Sequence, residues 1–151
     1  MDVIDLPAVS LELSRRFNAS PERVFDAWLS KEWGEWLGPA GCACEVVRMD
    51  ARVGGSYLLR MMMADGRETD SIGTYHEIDR PHRLVLTFGG CFNAGEMRLS
   101  VTFRPDGDGT LMTLHQTGFQ DEMICEGFNT GWAGAGGSFD KLDRLLGRRA
   151  G

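Results

Sequence analysis

The groups best suited to chemistry are few and scattered along this chain. Its three histidines, His76, His82 and His115, are the natural proton carriers near neutral pH. His82 follows Pro81 in a turn and is expected in solvent, while His76 and His115 alternate with neighbours that face inward. No serine sits in a nucleophile elbow, and there is no His-Glu-x-x-His helix or phosphate loop with its Lys-Ser/Thr. The four cysteines are Cys42, Cys44, Cys91 and Cys125, and only Cys42 and Cys44 are close in sequence. One residue separates them, whereas paired metal ligands are usually spaced by about two to four residues. They read as buried or idle thiols, with no metal site expected.

More suggestive are polar residues set into apolar strands: Arg15, Glu45, Arg60, Glu77 and Gln116. A buried polar group must find a partner or face a wet cavity. These residues either lie on an outer sheet face and pair with one another, or a few of them orient the polar end of an apolar ligand. Arg60, Glu77 and Gln116 are the candidates for that polar end, and Glu77 is the candidate acid or base if a reaction occurs.

The elements that must position these groups follow from periodicity. Val9, Leu11, Leu13 and Phe17 alternate with polar residues, the pattern of a half-buried strand. Arg15 falls on the inward side of that alternation. Ser20-Pro21-Glu22 opens a helix, with an N-cap, a first-turn proline and an acid suited to the helix dipole. A second short helix is expected over Lys31–Leu37, closed by Gly38-Pro39. Six strands follow, near Cys44–Met49, Ser56–Met63, Thr69–Ile78, Leu84–Phe88, Glu96–Arg104 and Thr110–Gln116. Turn residues such as Gly54-Gly55, Asp65-Gly66 and Asp106-Gly107 divide them, and breaks this short imply antiparallel hairpins.

The last stretch, from about Asp121 to Leu146, reads as a long helix. Phe128, Trp132, Ala135, Phe139, Leu142 and Leu146 recur at intervals of three and four residues and form one stripe. From Phe128 to Leu146 it would be roughly 27 Å long at about 1.5 Å per residue. Gly131, Gly134, Gly136 and Gly137 interrupt it, each costing about 0.5–1 kcal/mol relative to alanine. Either packing outweighs that cost or the helix breaks there. A sheet pressed against small residues, a kink, or space left for a ligand beside Trp132 and Phe139 would each account for them. The fold class is therefore α+β: a helix-grip arrangement, a curved antiparallel sheet of six or seven strands around a long C-terminal helix, with two short helices between strands one and two.

Composition bounds the function. A length of 151 residues suits one domain spanning 1–151. The net charge of −6 and scattered basic residues argue against nucleic acid. No apolar run approaches the roughly 20 residues of a membrane span. The acidic start, Met1-Asp2-Val3-Ile4-Asp5, lacks the features of a signal peptide, so a cytoplasmic location is expected.

The segment Arg16-Phe17-Asn18-Ala19-Ser20-Pro21-Glu22-Arg23-Val24-Phe25-Asp26-Ala27-Trp28 resembles the opening signature of one branch of the START-like (SRPBCC) superfamily. That branch is related to the C-terminal domain of the heat-shock-protein ATPase activator. Four further segments match in the same order. They are Trp36-Leu37-Gly38-Pro39, Val53-Gly54-Gly55-Ser56-Tyr57, Gly73–Ile78 with Pro81–Leu84, and Gly131-Trp132 with Ser138–Leu142. The resemblance covers almost the whole chain and implies a helix-grip fold with a cavity between sheet and C-terminal helix. In various relatives such cavities take lipids, hormones, polyketides or aromatic substrates. It brings no single catalytic motif and no cofactor. One departure stands out: Ala133–Ser138 looks about three residues longer than the family pattern, so the cavity shape of relatives is not assumed here.

The expected cavity is elongated and apolar. It lies under the helix between Trp132 and Phe139 and opens near Lys31–Leu37. Its lining from the helix would be Phe128, Trp132, Ala135 and Phe139. From the sheet and the short helix would come Tyr57, Leu59, Met61, Tyr75, Met112, Leu114 and Trp36. Leucine at Ala135 or Gly134 is expected to fill it. The function expected is binding of a small hydrophobic or aromatic molecule. The alternatives are a cyclase- or hydrolase-type enzyme using a cavity acid or base, and a co-chaperone-like protein-binding domain. The last is disfavoured on the expectation that no separate N-terminal domain accompanies this one. A homodimer is a further partner to be tested.

Overall fold

The structure is a computed structural model that describes residues 9–149. The Met1–Asp5 segment read above as lacking an export signal lies outside them. The chain runs β1 (Ser10–Phe17), α1 (Pro21–Asp26), α2 (Trp33–Trp36), β2 (Ala43–Met49), β3 (Ser56–Met62) and β4 (Glu68–Asp79). It continues through β5 (Arg83–Gly90), β6 (Met97–Asp106), β7 (Gly109–Thr117), α3 (Glu122–Ala133) and α4 (Ser138–Arg149). The seven strands form one sheet ordered β1-β7-β6-β5-β4-β3-β2, with every neighbouring pair antiparallel. This is the α+β helix-grip arrangement expected from the element order.

Each hairpin brings strands adjacent in sequence side by side. Only β1 must travel, and it pairs with β7, so α1 and α2 are carried across one face of the sheet. Register shifts between Val46 and Arg48 and between Tyr75 and Glu77 help to curl that face inward. Ser20 caps α1 by accepting from Arg23 N at 3.2 Å, which buries Val24 and Phe25 in the core.

The C-terminal segment is in two pieces rather than one helix. Gly134 N bonds Thr130 O at 2.8 Å, and Gly137 N then turns back onto Gly134 O at 2.9 Å. Gly136 has φ +73°, the left-handed conformation that favours glycine. A Cβ on Gly137 would lie 2.6 Å from Gly131 O, so the new turn is packed directly onto the end of α3. Asp140 fixes the corner: it accepts from Gly136 N at 2.8 Å and from Arg15 Nη1 at 2.7 Å. The inward-leaning Arg15 has thus found its partner, and it pins α4 to β1. The break places Ala135 in solvent, off the stripe it was expected to share. Phe139, Leu142, Leu145 and Leu146 remain buried on α4.

Candidate functional site

The interior is organised by a continuous run of aromatic rings. Phe17 meets Phe139 at 6.2 Å between centroids, Phe139 meets Trp132 at 5.9 Å, and Trp132 meets Trp28 at 5.8 Å. Trp28 leads through Trp33 to Tyr57, and Tyr57 meets Phe88 at 6.3 Å. Phe88 finally contacts Phe128 on α3 at 6.1 Å. Between Trp132 and Phe139 nothing is left open, because the two rings touch. The space lies on the other side of Trp132, where the run returns to α3 through Phe88 and Phe128.

There a cavity of about 220 Å³ opens to the surface. One wall is α3: Ile124, Phe128, Gly131 and Trp132 line it, with Met123 and Gly127 exposed at its open edge. Opposite stand Met61 at the end of β3, Met63 beyond it, and Phe88 on β5. Leu37, Gly38 and Pro39 form the floor with Ser138, while Cys91, Phe92 and Arg67 form the lip.

Two glycines make the room. Gly127 and Gly131 lie one turn apart on the face that also carries Phe128 and Trp132. A Cβ on Gly127 would meet nothing within 4 Å, and one on Gly131 would touch only Pro39, at 3.8 Å. Neither glycine is required by its backbone, so the cost in helix propensity goes unrecovered by packing. The polar atoms of the deep end are already committed. Ser138 Oγ accepts from Gly38 N at 2.8 Å and donates to Gly38 O at 3.1 Å, and Trp132 Nε1 donates to Gln116 Oε1 at 2.9 Å. The inner cavity can offer apolar contact and soft sulfur, and little hydrogen bonding.

The family described as Activator of Hsp90 ATPase homolog 1-like protein matches residues 18–147, nearly the whole of this architecture. The chain belongs to that family. A crystal structure of a protein from Chromobacterium violaceum is 32% identical, with a TM-score of 0.83 over 93% of this chain and 98% of that one. One from Nitrosomonas europaea is 22% identical, with a TM-score of 0.80 over 93% and 96%. A protein of Silicibacter pomeroyi titled AHSA1 is 23% identical, with a TM-score of 0.77 over 93% and 99%. The last two show the shared fold alone. No curated protein matches the chain.

Within this family member, the residues expected around the cavity divide sharply. Met61, Phe128 and Trp132 stand on its wall. Trp36, Tyr57, Leu59 and Tyr75 are instead packed solid in the core, as are Met112, Leu114 and Phe139. Trp36 Nε1 donates to Ala27 O at 3.0 Å, and the Tyr57 hydroxyl donates to Thr87 O at 2.8 Å, so these rings hold the frame. Ala135 is exposed in the helix break, and leucine there fills nothing. Leucine at Gly134 would drive its Cβ into the Thr130 carbonyl oxygen.

The polar end is also corrected. Arg60 is exposed between two inward residues and pairs with Asp70 on the outer face. Glu77 should have followed Tyr75 inward by alternation. The register shift between them turns it outward beside His76, where it pairs with Arg83. Gln116 is fully buried, but its amide is spent on Trp132 and on Met97 Sδ, which accepts from Nε2 at 3.3 Å. It orients the cavity wall and does not reach into the cavity. Arg67, Phe92, Met123 and the Gly127/Gly131 pair were not singled out as site residues. The two glycines, four residues apart on the face of Phe128 and Trp132, were the available signal.

The thiols are set by burial. It pushes Cys91 up to about 11, with a Ser71 hydrogen bond opposing, and Cys44 up to about 12, with Cys42 adding to the rise. Both stay protonated at neutral pH and are poor nucleophiles. We expect iodoacetamide at pH 8 to alkylate Cys44 and Cys91 slowly in the native protein and all four cysteines quickly in urea. Peptide mapping reads the result, and fast native modification of Cys91 would show that its surroundings open in solution.

Proposed function

We propose that this protein binds a small, mostly apolar molecule, one ring with a short substituent, in the cavity between α3 and the ends of β3 and β5. The observation that supports this reading is the apolar-lined volume beside α3, at whose open edge the exposed Gly127 leaves room that a side chain would fill. A helix that could take alanine or leucine there carries glycine, beside a wall of Met61, Met63, Phe88, Phe128 and Trp132. The volume of about 220 Å³ suits a ligand of this size. Engineered apolar cavities of about 150 Å³ already accept benzene, and drug-sized ligands fill about 300–1,000 Å³. Methionines beside aromatic rings make a tolerant, polarisable surface. The lining carries no carboxylate or imidazole, which favours binding over acid–base catalysis as the reading. The partner is thus a small hydrophobic molecule in the cytoplasm, with no cofactor invoked.

Gly127→Leu tests it. The substitution meets open space and recovers about 1 kcal/mol of helix propensity at most, so the melting temperature should hold or rise. Wild type should bind methyl 3-phenylpropionate, followed by Trp fluorescence and by NMR shifts at Trp132 and Phe128. The variant should lose at least tenfold in affinity, the steric exclusion of a filled pocket. Equal binding by both proteins, or no binding by wild type of any monoaromatic ester or its parent acid in a short series, overturns the proposal.

A further inference from the structure

The lip of the cavity carries one charged residue, Arg67, and its surroundings leave a particular part of it open. Arg67 closes the β3–β4 turn. Its backbone N donates to Asp65 Oδ1 at 3.0 Å, and its Nε donates to Asp65 Oδ2 at 2.7 Å. Its guanidinium carbon stands 4.6 Å from the centroid of the Phe92 ring. One edge of the guanidinium is therefore held by Asp65 and one face by Phe92. The Nη groups, the edge that grips carboxylates in a fork, have no hydrogen-bond partner among the described residues.

The turn that carries the partly exposed ring beneath Arg67 is held by hydrogen bonds of its own. Cys91 and Phe92 take φ values of +56° and +67°, a conformation non-glycine residues rarely adopt. The turn is locked around them: Asn93 N donates to Gly90 O at 3.2 Å, and Asn93 Nδ2 donates to Gly95 O and Gly118 O. Asn93 Oδ1 accepts from Gln120 N at 2.9 Å, tying the lip to the approach of α3. The strain serves to lay Phe92 across the mouth, partly exposed, with Arg67 on top of it.

We propose that Arg67, stacked on Phe92, receives the carboxylate of a small aromatic acid whose ring occupies the cavity. The inference rests on the binding reading above and sharpens it. A ligand seated here finds its inner end among apolar groups and committed polar atoms, so any charge it carries must sit at the mouth. The charge waiting at the mouth is positive. Asp65 offsets part of it through the Nε edge at 2.7 Å, and what it leaves available is the Nη edge, whose donors still point to a carboxylate.

Matched pairs decide the matter: 3-phenylpropionate and 4-phenylbutyrate against their methyl esters, titrated into wild type, Arg67→Met and Arg67→Lys. Methionine keeps an apolar stem on Phe92 while removing the fork, and at an exposed position it should leave the melting temperature unchanged. In wild type the acids should bind about two- to fivefold more tightly than the esters, the scale of an ion pair at an exposed position. Arg67→Met should abolish that preference by weakening the acids alone, and Arg67→Lys should keep part of it. Raising the salt should narrow the gap in wild type. Acids and esters binding equally, or a preference that survives in Arg67→Met, overturns the role of Arg67 while leaving the cavity reading standing. Failure of both acids and esters to bind overturns the cavity reading and this inference with it.

Discussion

Trp132→Ala is expected to lower folding stability by about 3–5 kcal/mol, the cost of removing a large ring from a packed core. Trp132 is 2% exposed and touches Trp28 and Phe139 through its ring. It also joins the two C-terminal helices, since Phe139 begins α4 while Trp132 ends α3. The cavity it borders makes collapse around the deletion easier on one side only. Its Nε1 adds a second term: without it the fully buried Gln116 Oε1 loses its donor, worth about 1–3 kcal/mol. Trp132→Phe isolates part of that effect, because it keeps most of the ring and loses the bond. Urea melts measure both, and a loss below about 1 kcal/mol in the alanine variant would mean that Trp132 is not a core anchor in solution.

Gly73→Ala should destabilise the protein by about 3 kcal/mol or more, from overpacking together with a broken buried hydrogen bond. Gly73 sits in β4 directly opposite Tyr57 of β3, facing the core. An added Cβ would overlap the Thr87 carbonyl oxygen and stand 2.7 Å from the Tyr57 hydroxyl. That hydroxyl donates to the same Thr87 oxygen, so the methyl group would enter the middle of a hydrogen bond joining β3 to β5. The nearest obstacle is the Thr87 backbone carbonyl, and the Tyr57 ring beside it is fully buried and has no room to move aside. Thermal unfolding checks the effect. A fall in melting temperature of only a degree or two would show that β4 and β5 can part there at little cost. Burial holds the Tyr57 hydroxyl protonated well above its ordinary range, so the defect should be insensitive to pH through neutrality.

Much of the fold was legible because it depends on local geometry. All seven strands lie within a residue or two of the spans read from alternation and turn residues. A strand exposes its faces with period two, and Met97, Leu99, Val101 and Phe103 show it without any knowledge of their partners. The Ser20 cap was an equally local inference, matched by Arg23 N, and Arg15, read as needing either a partner or a wet cavity, has Asp140 as its partner. The resemblance of five short segments to one family agrees with the family match over residues 18–147.

The site was less legible, and particular residues show why. Alternation put Glu77 inside, but a one-residue shift in the pairing of β4 with β5 reversed it, and nothing in the residues around Tyr75 marks that shift. The helical stripe joined Ala135 to Trp132 and Phe139, yet a left-handed Gly136 ends the periodicity on which the stripe relied. Gln116 was read as a polar residue in an apolar strand, either on the outer sheet face or lining a cavity, and it is fully buried. Its partner, the indole of Trp132, comes from another element, and that contact decides whether the amide is free for a ligand.

By itself, then, the sequence determined the order of elements, the inner face of each strand and the family, because these follow from backbone periodicity, turn chemistry and short motifs. Only the tertiary structure decided on which side of Trp132 the space lies. Rings as large as Trp28, Trp132 and Phe139 close one gap by meeting, and the volume they leave reappears where Gly127 meets nothing and Gly131 meets only Pro39. A void is the remainder of many contacts between distant residues, so a local pattern such as the two glycines of α3 can hint at it but not place it.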